Sequence, residues 1–126
     1  MATARILCLE DDPDTCELVT KMLEPYGYEV ITADTIKEAL RLIEAAGFSL
    51  YIVDEILPDG NGLEFIRRLR QSGSLIPMLV HSAAAYKKDI DDAMQAGADD
   101  YLVKPNGWPK RNKTVARLLR QSRYVK

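Results

Sequence analysis

Short apolar runs alternate with stretches of helical periodicity along the whole chain, and this alternation restricts the fold more than any other feature. The strand candidates are Arg5–Leu9 (β1), Glu29–Thr32 (β2), Leu50–Val53 (β3), Met78–His81 (β4) and Tyr101–Val103 (β5). Four of them are almost continuously apolar, as parallel strands covered on both faces are. The second is shorter and mixed, which suits an edge. Between them lie helical stretches: α1 from about Pro13 to Glu24, then α2 in KEALRLIEAAG, α3 in LEFIRRLRQSG, α4 in KKDIDDAMQAG and α5 in KTVARLLRQS. The apolar spacing puts Leu18, Met22 and Leu23 on one side of α1 with Val19 beside them, and turns Ala39, Leu40 and Ile43 inward from α2. It does the same for Leu63, Ile66 and Leu69, for Ile90, Ala93 and Met94, and for Val115, Leu118 and Leu119. Gly47 and Gly97 read as helix stops. Five βα units in series imply an α/β fold, a parallel sheet between two helical layers with right-handed crossovers. The 126 residues suit one domain over residues 1–126, with no repeats and no linkers.

Composition narrows the function classes. An apolar share of 47% and a charged share of 29% describe an ordinary soluble globular chain. The net charge of −2 gives no general attraction to nucleic acid, and direct nucleic-acid binding is not expected. No apolar run reaches membrane-spanning length and no signal-peptide layout opens the chain, so a cytoplasmic location without membrane insertion is expected. Cys8 and Cys16 give neither a disulfide framework nor a metal-binding spacing. The charge is uneven: no acid follows Asp100, while Lys104, Lys110, Arg111, Lys113, Arg117, Arg120, Arg123 and Lys126 do. That basic end reads either as a solvated helix face or as a docking surface.

In open parallel sheets, sites form at the carboxyl ends of the strands. Here β1 is followed by Glu10-Asp11-Asp12, β3 by Asp54-Glu55, β4 by Ser82-Ala83-Ala84 and β5 by Lys104-Pro105. Carboxylates gathered at one rim repel unless something offsets them. A hard divalent cation does so, with Mg²⁺ (or Mn²⁺) taking oxygen ligands, and the lack of His and Cys in the cluster argues against zinc. Lys104 offers a fixed counter-charge and Ser82 a hydroxyl donor. A carboxylate can also be a nucleophile that forms an acyl phosphate. The set points to phosphoryl transfer, in which a protein mainly positions groups and neutralises charge. His81 neighbours Ser82, faces the other side of the strand and reads as a packing histidine.

RILCLEDD, VDEILPDGNGLEFIRRLR, PMLVHSA and AGADDYLVKP occur in this order on the expected elements. Together they resemble the receiver domain of bacterial two-component response regulators over nearly the whole chain. The resemblance implies a flavodoxin-like (βα)5 three-layer sandwich with strand order 2-1-3-4-5. It implies that Asp54 is the phosphoacceptor. Asp11 and Asp54 would bind Mg²⁺ directly, Glu10 through water, and Ile56 through its backbone carbonyl. Ser82 would bond the phosphoryl group, Lys104 would pair with it, and Tyr101 would move inward as Ser82 is drawn to the phosphate. The donor would be a sensor histidine kinase or a histidine phosphotransfer protein. A downstream protein would read the α4–β5–α5 face, with Lys87, Lys88, Asp91, Tyr101, Arg117 and Arg120 as contacts. Such a chain is a signalling switch, and an enzyme only toward its own phosphorylation and dephosphorylation.

The sequence also departs from the family pattern. NGWPKRNK stands where Phe and a helix normally follow Lys-Pro. Asn106-Gly107 signals a turn and Pro109 restricts Trp108, so α5 is expected to start late. Trp108 either packs in place of the Phe or presents an anchor to a partner. Ile56 and Ala84, each two residues beyond Asp54 and Ser82, are apolar where family members often carry groups that place hydrolytic water. A long-lived phosphoryl group is expected. Two other readings compete. An Asp-nucleophile small-molecule phosphatase or phosphotransferase would carry Asp-x-Asp, whereas Ile56 occupies the second position. A phosphorylation-independent interaction module would not need the complete residue set. Within Glu10-Asp11-Asp12, the strand ends at Leu9, so Glu10 and Asp11 form the acidic pair. Asp12 precedes Pro13 and reads as the N-cap of α1.

Overall fold

The computed structural model describes residues 3–105 and 108–122, apart from the side chains of 108, 109 and 122. Its five parallel strands are β1 Arg5–Leu9, β2 Glu29–Ala33, β3 Leu50–Val53, β4 Met78–Ser82 and β5 Asp100–Val103. They lie in the order β2-β1-β3-β4-β5, with β2 at one edge as its mixed composition suggests. Leu9 of β1 sits opposite Val53 of β3 and Ala33 of β2. The acidic turns after β1 and β3 therefore leave the sheet side by side.

Strand alternation divides the core into two layers. Leu7, Leu9, Tyr51, Val53, Met78, Val80 and Tyr101 pack with α2 (Ile36–Ala45), α3 (Gly62–Gln71) and α4 (Lys87–Ala96). Ile6, Cys8, Leu50, Ile52, Leu79 and Leu102 pack on the other side with Val19 and Leu23 of α1 (Pro13–Leu23) and Val115 and Leu118 of α5 (Trp108–Ser122). Asp12 caps α1, its carboxylate accepting from Thr15 N at 3.2 Å and from Thr15 Oγ1 at 2.6 Å, with Pro13 opening the helix.

Several expectations are corrected. α1 stops at Leu23 and passes into a single 3₁₀ turn, Glu24–Tyr26, closed by Gly27 at φ 89°. The buried stripe of α1 is the i, i+4 pair Val19 and Leu23, so Leu18 falls on its flank and is 43% exposed. Met94 of α4 is exposed as well, because Ala93 and Ala96 are the buried residues of α4. α5 does not start late. It begins at Trp108, since Pro109 lies in the first helical turn, where its missing N–H costs nothing. The two readings of the Trp108 side chain lie outside the described residues, as does the Asn106-Gly107 turn.

At the amino end of the sheet, the Arg70 guanidinium joins four segments. It donates to Gly97 O at 3.0 Å, Ser74 O at 2.9 Å, Ile76 O at 2.8 Å and Asp99 Oδ2 at 2.8 Å. Asp99 Oδ2 also accepts from Met78 N at 2.8 Å. This group therefore fixes the C-terminal ends of α3 and α4 to the starts of β4 and β5.

Candidate functional site

The carboxyl ends of β1, β3 and β5 bring four predicted residues together. Carboxylate oxygens of Glu10, Asp11 and Asp54 all lie within 4.8 Å of one another. Lys104 Nζ donates to Glu10 Oε1 at 2.5 Å and stands 3.3 Å from Asp54 Oδ2. Glu10 is buried, Asp54 is half-buried and Asp11 is exposed. Burial raises the Glu10 carboxyl above its usual range, while the Lys104 bond and the Asp12 N–H pull it back. Burial pulls the Lys104 ammonium down, but the Glu10 bond and the nearby Asp54 charge outweigh it and hold it up. One ammonium thus faces three acids. The donors are all oxygen and one side of the cluster is open, which fits a hard divalent cation that keeps some of its waters.

Backbone detail aims Asp54. Its Oδ1 accepts from Glu55 N at 2.8 Å. Gly62, the first residue of α3, lies against it: a Cβ there would sit 2.0 Å from Asp54 O. Gly62 N also donates to Glu55 O at 2.7 Å. Ile56 starts a small antiparallel hairpin, Ile56–Leu57 with Gly60–Asn61, and its side chain is 80% exposed.

Ser82 closes β4 and is buried. Its Oγ accepts from Ala84 N at 3.1 Å, and its carbonyl accepts from Lys104 N at 2.8 Å, which ties the β4 and β5 ends together. The Lys104-Pro105 peptide is cis. Asp14, Thr15, Leu18, Ala83, Lys104 and Pro105 line an open cavity of about 340 Å³ beside this rim. His81, on the opposite face of β4, is buried. Burial first, then Lys104 and Arg111, hold its imidazole down to about 4, so it is neutral at pH 7.

The resemblance has Tyr101 move inward as Ser82 is drawn to the phosphate, whereas the structure already buries it. Its hydroxyl lies 2.7 Å from Ala84 O and 2.9 Å from Glu55 Oε1, and its one proton is shared between these acceptors. Burial, reinforced by the Glu55 carboxylate, pushes that hydroxyl up to about 12. Of the other residues placed on the α4–β5–α5 face, Lys87 pairs with Asp91 at 2.7 Å and Lys88 is exposed. Arg117 pairs with Asp100, and Arg120 is exposed.

Sequence reasoning missed Glu55 as the Tyr101 partner, because the two are 46 positions apart. It also missed Asp59, whose carboxylate accepts from Ile36 N at 2.8 Å and Lys37 N at 3.0 Å and so caps α2 from the β3 side. Residues 59–62, Asp-Gly-Asn-Gly, are turn-forming types, and such local signals say nothing of a partner more than 20 positions away.

A family model for the response regulator receiver domain matches residues 6–116. The KDP operon transcriptional regulatory protein KdpE of Escherichia coli is 41% identical, covering 81% of this chain and 45% of its own length. An uncharacterized 14.6 kDa protein of Leptolyngbya boryana is 38% identical over 83% of this chain and 82% of its own. The CheY-like receiver domain protein from Methanospirillum hungatei superposes with a TM-score of 0.90 at 27% identity, covering 99% of this chain and 100% of that one. The chain spans about half the length of most of the curated relatives it matches, such as 52% of a probable transcriptional regulatory protein of Picosynechococcus sp..

Proposed function

The chain belongs to the response regulator receiver domain family, a family of phosphoacceptor signalling domains, and from that premise we propose that it takes a phosphoryl group on Asp54. The observation that carries this is Asp54 itself, held 3.3 Å from Lys104 inside the Glu10–Asp11–Asp54 cluster. The donor is a phosphohistidine on a sensor histidine kinase or a histidine phosphotransfer protein.

Asp11 and Asp54 would hold the Mg²⁺ (or Mn²⁺), Ile56 would add its backbone carbonyl and Glu10 would act through water. When bound, the ion neutralises the oxygens of the transferring group. Lys104, 3.3 Å from Asp54 Oδ2, would pair with the same charge. Asp54 Oδ1 is already oriented by the Glu55 N–H, so little reorganisation accompanies attack. The Ser82 hydroxyl accepts from Ala84 N and would donate its own proton to a phosphoryl oxygen. That donation pulls on the 82–84 loop, and Ala84 O is one of the two acceptors of Tyr101. The switch is therefore a change in how the Tyr101 proton is shared, and a bound phosphoryl group shifts a pre-existing balance. The output is read by a partner protein at α4, β5 and α5, where Lys87, Lys88, Asp91, Arg117 and Arg120 present charge. Tyr101 is too buried to add more than an edge.

The chain is a cytoplasmic switch that catalyses only its own loading and unloading, and it binds no nucleic acid directly. Among the described residues, no helix is long and apolar enough to cross a membrane. Small-molecule phosphatase activity is disfavoured by Ile56, and the complete phosphoacceptor set disfavours a phosphorylation-independent module. Incubation with acetyl phosphate and Mg²⁺, followed by intact mass, tests the reading. The parent gains one phosphoryl group and Asp54→Asn gains none; equal gain by both refutes it.

A further inference from the structure

Glu55 is an acid at the rim that the phosphoacceptor site does not use. Among the described residues, the oxygen cluster takes Glu10, Asp11 and Asp54, and Glu55 is not in it. Lys104 pairs with Glu10 and Asp54. The Glu55 backbone is held on both sides, its N–H donating to Asp54 Oδ1 at 2.8 Å and its carbonyl accepting from Gly62 N at 2.7 Å. Its half-buried side chain reaches across the end of β4, which lies between β3 and β5, and its Oε1 accepts from the Tyr101 hydroxyl at 2.9 Å. That hydroxyl also lies 2.7 Å from Ala84 O. Ala84 belongs to the loop that Ser82 begins, and its N–H donates to Ser82 Oγ at 3.1 Å. The tyrosine is therefore anchored twice, once to the loop after β4 and once to the residue that follows Asp54.

We propose that Glu55 is a positioning residue that keeps Tyr101 buried before any phosphoryl group arrives, and that it thereby speeds loading of Asp54. The second half rests on the phosphoacceptor reading; the first does not. A phenol held by the loop alone follows the loop. With Glu55 as a second acceptor, the ring stays in place while Ala84 O shifts. The carboxylate is also the stronger acceptor of the two, because hydrogen bonds to ionised groups exceed those between neutral ones. Its removal shifts the balance between buried and released Tyr101 by roughly tenfold toward release. A chain that rests with Tyr101 buried loses little of its population to a released state in which the Ser82 loop is unsupported. Loading falls in proportion to the fraction that remains buried, so the loss of this anchor slows it by at most about tenfold. Glu55 also carries a charge beside Asp54 that repels an incoming phosphate whatever Tyr101 does. Tyr101→Phe removes only the hydroxyl, so the effect of Glu55→Ala compared in the two backgrounds isolates the link.

The full chain is labelled with 3-fluorotyrosine and its fluorine NMR spectrum recorded without Mg²⁺ or phosphate; Tyr101→Phe identifies the Tyr101 signal. A soluble gadolinium chelate should broaden that signal little in the parent. It should broaden it little in Glu55→Gln too, where the amide oxygen still accepts, but strongly in Glu55→Ala. A Tyr101 signal as shielded in Glu55→Ala as in the parent, or already broadened in the parent, overturns the proposal. Loading by acetyl phosphate with Mg²⁺ is then timed by intact mass. The slowing that Glu55→Ala causes in the tyrosine chain should exceed its effect in the Tyr101→Phe chain by about twofold or more. Equal effects overturn the coupling while the fluorine signal still decides the anchor. A parent that takes no phosphoryl group on Asp54 overturns the coupling together with the phosphoacceptor reading, and leaves the tyrosine result standing.

Discussion

Gly62→Ala offers a test whose sign separates packing from propensity. By helix propensity alone, replacing Gly by Ala in a helix stabilises by roughly 1 kcal/mol. The structure gives the opposite answer. The new Cβ would lie 2.0 Å from Asp54 O, 2.9 Å from Asp54 C and 3.0 Å from Val53 Cγ1. An ordinary C···O approach is about 3.3 Å, so the backbone must part by more than about 1 Å. The obstacle is backbone rather than a side-chain tip, and Gly62 N is held to Glu55 O at 2.7 Å. Neither side yields easily. Overpacking of this kind costs up to about 3 kcal/mol, leaving a net loss of about 2 kcal/mol after the propensity gain. Urea unfolding followed by circular dichroism should move its midpoint down by about 1 M. Melting should fall by roughly 8 °C. Acetyl phosphate loading should slow too, since the displaced group is the carbonyl of Asp54, the proposed phosphoacceptor. Gly47→Ala is the control, because a Cβ there meets nothing within 4 Å. A Gly62→Ala chain as stable as its parent would refute the steric reasoning.

Other substitutions divide the acidic turn and its surroundings. Asp11→Ala should abolish Mg²⁺ binding by titration calorimetry, whereas Asp12→Ala should retain it and lose about 1 kcal/mol of stability, the worth of a helix cap. Burial holds His81 down to about 4 in the folded chain against 6.5 when unfolded, so on acidification the unfolded chain takes the proton first. Stability should therefore fall from about pH 6.5 to about pH 4, by roughly 3 kcal/mol, and His81→Leu should flatten that limb of the pH profile. Ile56→Asn should shorten the lifetime of the phosphorylated form, followed by mass after acetyl phosphate is removed; a parent lifetime of only seconds with Mg²⁺ present would contradict the reading that Ile56 and Ala84 leave hydrolytic water unplaced.

The strands and the site were legible for a common reason. Parallel strands buried on both faces must be apolar along their length, so the polar residue that ends each run is conspicuous, and Leu9 fixes Glu10 as the first residue past β1. Asp12 was equally legible, since a cap followed by Pro is a local signal. What the sequence concealed was long-range or depended on partial burial. Leu18 and Met94 fit the helical period but fall on its flanks, and only packing decides where a buried stripe ends. Pro109 suggested a delayed α5, yet the first turn of a helix accepts proline. Glu55, Asp59 and Arg70 look like ordinary surface charges. Their roles arise from partners far along the chain, at Tyr101, at the start of α2 and at Asp99.

The Arg70 guanidinium at the far end of the sheet also governs how a signal can travel. It holds Gly97 O, just past the last turn of α4, and at Gly97 (φ 120°) a Cβ would collide with the Arg70 side chain at 2.6 Å. One end of α4 is thereby a pivot, while the other follows the loop that begins at Ser82. The ten-residue helix is about 15 Å long. A tilt of about 10° about that fixed end carries the Lys87 end by nearly 3 Å and the Gly97 end hardly at all. Such a tilt would make α4 a lever, with displacement greatest at its Lys87 end and a fulcrum where Arg70 holds Gly97.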